Sequence, residues 1–249
     1  MTATSDSKKE GGFPETVRVI FQALLIALVI RTFLFQPFNI PSGSMKDTLL
    51  IGDYLFVSKY SYGFSRFSFP FSPNLFSGRI FGREPERGDV VVFKLPKDNE
   101  TDYIKRVVGL PGDHIQMING LLHINGVPVK RERLPDMLDE DETGQKVPVR
   151  RWRETLPNGV SFETLDLVEN GFYDNTQVYE VPPGHFFMMG DNRDNSADSR
   201  VLSQVGYVPF ENLVGRAQII FFSVDDAPAW EVWRWPWTVR WSRLFTIVR

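Results

Sequence analysis

No cysteine occurs anywhere in the chain. That absence removes disulfides, zinc–thiolate sites and thiol nucleophiles together, so stability rests on packing and any nucleophile is a hydroxyl. Histidine is scarce as well, limited to His114, His123 and His185. The first two flank an Asn119-Gly120 turn in strand-like context and the third follows Pro182-Pro183-Gly184, so each reads as structural; no G-x-S-x-G elbow occurs. A surplus of positive charge is missing too. With 28 Lys and Arg against 31 Asp and Glu, no basic field exists to draw a phosphate backbone, and nucleic acid is excluded as a partner. Glycine (19) and proline (17) are too sparse for a low-complexity chain. Against this, 42% apolar and 14% aromatic residues support a packed core, and the short turn-bounded apolar runs predict a mainly β fold.

The chain divides by composition. Residues 1–15 are polar, carry Lys8 and Lys9, and read as a mobile cytoplasmic tail. Residues 16–36 are almost continuously apolar and end at Pro37, which predicts one transmembrane anchor. Arg31 is the exception inside that run, tolerated because its long side chain lies near the end and can reach the interface. A buried soluble helix is the other reading. Strand-like runs follow at Tyr54–Ser58, Asp89–Leu95, Tyr103–Val108, His114–Ile118, Leu121–Ile124 and Gln218–Val224, giving a β core over 37–125 and 178–225. Residues 126–177 carry an acidic run at 139–142 and a basic one at 150–153, followed by a Pro157-Asn158-Gly159 turn, and read as an inserted β-subdomain. Two aromatic-rich stretches, Tyr60–Phe81 and the Trp/Arg-rich tail 226–249, have the composition a bilayer surface favours; core packing for the first and partner packing for the second are the alternatives.

Without a usable histidine, a hydroxyl nucleophile needs another base, and a desolvated lysine is one. Ser42-Gly43-Ser44 supplies a small turn directly after the anchor, and Lys105 lies in the strand-like run Asp102–Val108. An ordinary lysine with a pKa of about 10.4 is neutral in only about one molecule in 2500 at pH 7, so burial must lower it by about 2 to 3 units or more. A third block, Gly190-Asp191-Asn192-Arg193-Asp194-Asn195-Ser196-Ala197-Asp198-Ser199-Arg200, is densely polar. It is not a calcium loop, because Arg193 occupies a ligand position.

Three blocks taken in order, IPSGSM with TLLIGD, RGDVVVFK with DYIKRVVGLPGD, and GDNRDNSADSR with VPFENLVGRA, resemble type I signal peptidases, and with the anchor they span nearly the whole chain. The resemblance implies a signal-peptidase-like β-rich catalytic core facing the membrane, and an endopeptidase that removes signal peptides from exported preproteins through an acyl-enzyme. It implies Ser44 as nucleophile, Lys105 as general base, and an oxyanion hole from the Ser44 N–H and the Ser42 hydroxyl. Ser196 would hydrogen-bond and orient the Lys105 amine, Asp198 and Arg200 would support the site, and Arg106 with Asp191 would form a structural ion pair. Substrate pockets would be lined by Ile40, Met45, Leu49, Val92, Tyr103 and Ile104. Neither metal nor organic cofactor is implied. The implied partners are preprotein signal peptides, the lipid bilayer and an export translocon. The implied place is the bacterial inner (plasma) membrane, single-pass, with the N-terminus cytoplasmic and the catalytic domain on the outer, periplasmic side. Asp47 stands where many members carry proline. A membrane-anchored domain that binds exported proteins without cutting them, and a self-cleaving Ser/Lys regulator, are the rival functions.

Overall fold

The computed structural model describes residues 12–140, 145–225 and 229–249. Most of the expected tail lies outside these, and so does part of the acidic run at 139–142.

The first element is helix α1 (Phe13–Phe33), with Pro14 in its first turn, where a missing N–H costs nothing. Its 21 residues rise roughly 30 Å, about the thickness of a bilayer's hydrocarbon core. Apolar side chains on every side are uncovered, Phe21 and Leu24 each 65% exposed among them, and only Thr32 is buried. An uncovered apolar cylinder of this length fits a membrane anchor. It starts and stops three residues earlier than the expected 16–36. Phe35 and Gln36 belong instead to strand β1 (Phe35–Asn39), which runs antiparallel to β2 (Asp53–Ser58). Pro37 is tolerated there because β1 is the edge of its sheet.

That sheet runs in the order β1-β2-β14-β3-β4-β12-β13, with β15 on β14. The further strands are β3 (Val90–Lys94), β4 (Asp102–Gly109), β12 (His185–Met189), β13 (Val208–Pro209), β14 (Leu213–Ser223) and β15 (Thr246–Ile247). In β3, Val90 and Val92 enter one hydrophobic cluster while Val91 and Phe93 enter another, so both faces are buried and the strand reads as an unbroken apolar run. A second sheet orders β5 (His114–Ile118), β6 (Leu121–Ile124), β7 (Val127–Pro128) and β11 (Tyr179–Glu180) as β11-β5-β6-β7. The predicted hairpin turn between β5 and β6 has Asn119 and Gly120 at φ 49° and 71°, the left-handed pair a tight turn needs. A third sheet, β10-β9-β8, is built from β8 (Lys130–Glu140), β9 (Lys146–Thr155) and β10 (Ser161–Asp166).

The aromatic stretches divide. Tyr62 and Phe67 are core, whereas Phe71 and Phe81 are open. The 229–249 segment is more than a surface tail: β15 extends the main sheet, Val248 is buried in its core, and Arg243 donates to the buried Asp53 carboxylate at 2.6 Å. Its Trp230, Trp233, Trp237 and Trp241 remain largely exposed.

Candidate active site

Ser44 lies in a short 3-10 turn, Gly43–Met45, just beyond β1, and Lys105 lies in β4 between β3 and β12. Lys105 pairs across the ladder with the fully buried Val91, so its stem runs through apolar surroundings. The fold brings the two together: Lys105 Nζ and Ser44 Oγ are 2.6 Å apart, and both residues are buried. The amine also donates to the Ile104 carbonyl at 2.9 Å. Among the described residues no carboxylate hydrogen-bonds this amine. Burial lowers its pKa to about 8, against the weaker upward pull of Asp198 and Asp191. Ser42 Oγ stands 3.4 Å from Ser44 Oγ, on the same turn.

The 190–200 loop closes over this pair from behind. The Asn192 N–H donates to the Ser44 carbonyl and its side-chain amide to the Gly43 carbonyl, each at 3.1 Å, so one residue holds both carbonyls of the nucleophile turn. Gly190 must be glycine: a Cβ there would sit 2.1 Å from Ser196 Oγ and 2.6 Å from the Ser44 carbonyl oxygen. Asp198 accepts from the Gly190 N–H and, through both oxygens, from Arg200. Burial works to raise the Asp198 carboxyl, but Arg200 outweighs it and holds the group below the usual carboxylate range. Arg106 donates twice to Asp191, at 2.8 and 2.7 Å, and the Thr48 hydroxyl completes that carboxylate at 2.6 Å. The expected Arg106–Asp191 pair is therefore present and fully buried.

Two expectations need correction. Ser196 is at the site, but no hydrogen bond joins its hydroxyl to the Lys105 amine; the hydroxyl lies toward Asp198, whose carboxyl it helps to hold low. The amine instead turns to Ser44 and Ile104. Of the six pocket residues, Tyr103 and Ile104 do line the cleft at Ser44 and Lys105, a space of about 400 Å3, together with Pro41, Asn195 and Ala197. Ile40, Met45, Leu49 and Val92 do not line it. They lie within the hydrophobic cluster, none more than 3% exposed, because the nucleophile turn packs on the sheet through them.

Sequence reasoning also missed two features. Asn192 stood inside the polar block with nothing to mark it as a clamp. The buried Glu154 of β9 accepts from Arg193 at 3.0 Å through Nη1 and 2.5 Å through Nη2, tying the 190–200 loop to the third sheet. That partner lies 39 residues away and has no local signal. Beside the nucleophile, Lys46 bonds Asp139 at 2.6 Å and Asp47 bonds Arg151 at 2.6 Å, so the residue replacing the family's common proline is anchored to the same sheet by charge. No group of three or more His, Asp or Glu among the described residues could hold a metal ion.

Residues 13–222 match the family described as signal peptidase, peptidase S26. Proteins named signal peptidase I from Rickettsia typhi and Rickettsia prowazekii are 48% and 46% identical over 209 and 208 residues, 80% of this chain and 76% of each relative. A solved signal peptidase I from Enterococcus faecalis V583 is 28% identical, covering 54% of this chain and 97% of that chain at a TM-score of 0.31. The sequence relatives decide the matter. With the family match running from the start of α1 through β14, the chain belongs to the signal peptidase family, peptidase S26, and is a signal peptidase hydrolase.

Proposed function

We propose that the enzyme cuts signal peptides from preproteins with Ser44 as nucleophile and Lys105 as its general base. The observation that carries this reading is the 2.6 Å approach of a buried, carboxylate-free amine to a serine hydroxyl at the floor of an open cleft. With a pKa of about 8, roughly one lysine in ten is neutral at pH 7, some hundreds of times more than for an exposed one.

The neutral amine takes the Ser44 proton as Oγ bonds to the scissile carbonyl carbon. The carbonyl becomes an oxyanion, met by the Ser44 N–H and the Ser42 hydroxyl. Collapse breaks the C–N bond, Lys105 returns the proton to the leaving amine, and the mature protein departs with a free N-terminus. The signal peptide stays as an ester on Ser44. Water then attacks the ester while Lys105 takes its proton, the Ser44 Oγ–C bond breaks as Lys105 gives that proton back to the serine oxygen, and the peptide leaves as a carboxylic acid. Asn192 and Gly190 fix the turn, while Asp198 with Arg200 supports the loop. Tyr103 and Ile104 favour small apolar side chains before the cut, since a shallow wall rejects bulk.

Membrane placement belongs to the same proposal: α1 crosses the bacterial plasma membrane once, Lys8 and Lys9 keep the N-terminus cytoplasmic, and the catalytic domain meets exported preproteins on the outer side. The test is cleavage of a preprotein by the full chain in phospholipid vesicles. Ser44→Ala and Lys105→Ala should each abolish it while the variants still unfold in one cooperative transition. Cleavage by either variant would refute the dyad.

A further inference from the structure

A second buried lysine has no part in this chemistry. Lys59 follows β2 and its N–H donates to the Leu34 carbonyl at the end of α1. The residue is 2% exposed, its Nζ donates to the Ser68 carbonyl at 2.6 Å, and no salt bridge joins it to a carboxylate among the described residues. It lines a cavity of about 140 Å3, many times what one water needs. Arg31, in the last turn of α1, lines the same cavity and makes no hydrogen bond or salt bridge among the described residues. Lys94 is the third cation there, and Asp102 the one carboxylate, bound to Lys94 at 3.0 Å. Two positive charges, the buried Lys59 and the exposed Arg31, are thus left without an ion-pair partner among the described residues at one polar site. Burial first and the Arg31 charge second lower the Lys59 pKa to about 8, against the upward pull of Asp102. Among the described residues Asp102, itself paired with Lys94, offsets that cost only in part, and a bound anion would offset the rest.

The position of the cavity identifies the anion. Arg31 stands about 27 Å along an apolar helix from its first residue, at the edge of the hydrocarbon core where its long side chain reaches the lipid phosphates. Phe69 of the lining packs against Phe33 of α1 at 6.1 Å, and Phe71 on the rim is wholly exposed, an aromatic setting suited to the interface. We propose that this cavity, formed by Arg31, Lys59 and Lys94, binds the phosphodiester of an anionic membrane lipid. The proposal rests on α1 being a membrane anchor. Asp102 lines both this cavity and the cleft at Ser44, so a lipid held here keeps the cleft at headgroup depth.

The test uses the full chain in nonionic detergent, with dihexanoyl-phosphatidylglycerol, dihexanoyl-phosphatidylcholine and inorganic phosphate as probes and thermal unfolding as the readout. Phosphatidylglycerol should raise Tm saturably and more than either other probe. Loss of one charged donor in Arg31→Gln should weaken that binding roughly tenfold. Arg31 is exposed, so this variant folds where a Lys59 substitution would disturb the core. Arg18→Gln, near the opposite end of α1, should bind as the unaltered chain does. Equal weakening in Arg18→Gln, or none in Arg31→Gln, overturns the site. An equal effect of inorganic phosphate or phosphatidylcholine overturns the anionic lipid as ligand. Failure of the chain to co-float with phosphatidylcholine vesicles overturns the anchor and the lipid source with it, whereas co-flotation with a flat Arg31→Gln response sinks the site alone.

Discussion

Lys105 and Arg106 occupy consecutive positions on β4, and strand alternation sends their side chains to opposite faces. Both are buried cations, yet they are compensated differently. Arg106 meets Asp191 through two hydrogen bonds, donates to the Gly88 carbonyl, and lies 4.1 Å over the Phe162 ring. Among the described residues Lys105 meets a serine hydroxyl, a backbone carbonyl and, at 5.4 Å, the Tyr103 ring, with no carboxylate bonded to it. A charge so poorly matched is easily surrendered, and a proton that leaves easily is what a base requires. The same strand therefore holds a permanent cation that braces the site and a conditional one that works in it.

Removing one side of the compensated pair is the hardest test of that contrast. Arg106→Met strands the Asp191 carboxylate in the core and should cost about 3 to 5 kcal/mol in denaturant unfolding. A loss under about 1 kcal/mol would mean the pair is not the brace described. Next, Ser42→Ala removes one oxyanion donor and should lower kcat by about 100- to 1000-fold with the unfolding midpoint unchanged. Loss of stability without loss of turnover would make Ser42 structural. Third, Lys105→Met removes an uncompensated cation, so the inactive variant should be more stable at pH 7 by up to about 3 kcal/mol, the worth of the lowered pKa. If it is instead destabilised as strongly as Arg106→Met, the two cations are alike and the contrast fails.

Much of this was legible in the chain. Short apolar runs between turn residues marked β2 to β6 and the second half of β14, because a pleated surface buried on one or both faces leaves that local pattern, whereas β1 and the two-residue strands left none. The helix ends shifted because an apolar stretch does not say where helix yields to strand, and Pro37 sits on an edge that only the sheet defines. For the site, the absence of cysteine and of a placed histidine pointed to a serine with a lysine base, and the resemblance carried by the three blocks singled out Ser44 and Lys105. The pocket walls were not. Whether Met45 faces a cleft or a core depends on how the turn lands on the sheet, a tertiary fact. Glu154 was invisible for the same reason: an acidic residue in a charged run looks solvated until its arginine arrives from another part of the chain.

The smallest effect is also the most discriminating, because it separates the working lysine from the other buried one. Lys105 and Lys59 both have pKa values of about 8 in the folded protein against about 10.5 unfolded. Between these values the unfolded chain binds more protons, so stability should rise with pH above about 8, and the burial cost is fully present below it. Each lysine can contribute at most about 1.4 kcal/mol per pH unit in that window. Catalysis needs the neutral form of Lys105 alone, so kcat/KM should climb about tenfold per pH unit below the folded pKa and level off above it. Lys105→Met should therefore lose about half of the alkaline gain in stability while keeping the part due to Lys59. Arg31→Gln should move the Lys59 part by removing a neighbouring charge, and leave the pH profile of turnover where it was. A turnover profile flat below pH 8, or one that moves with Arg31, would mean that the titrating group is not the amine beside Ser44.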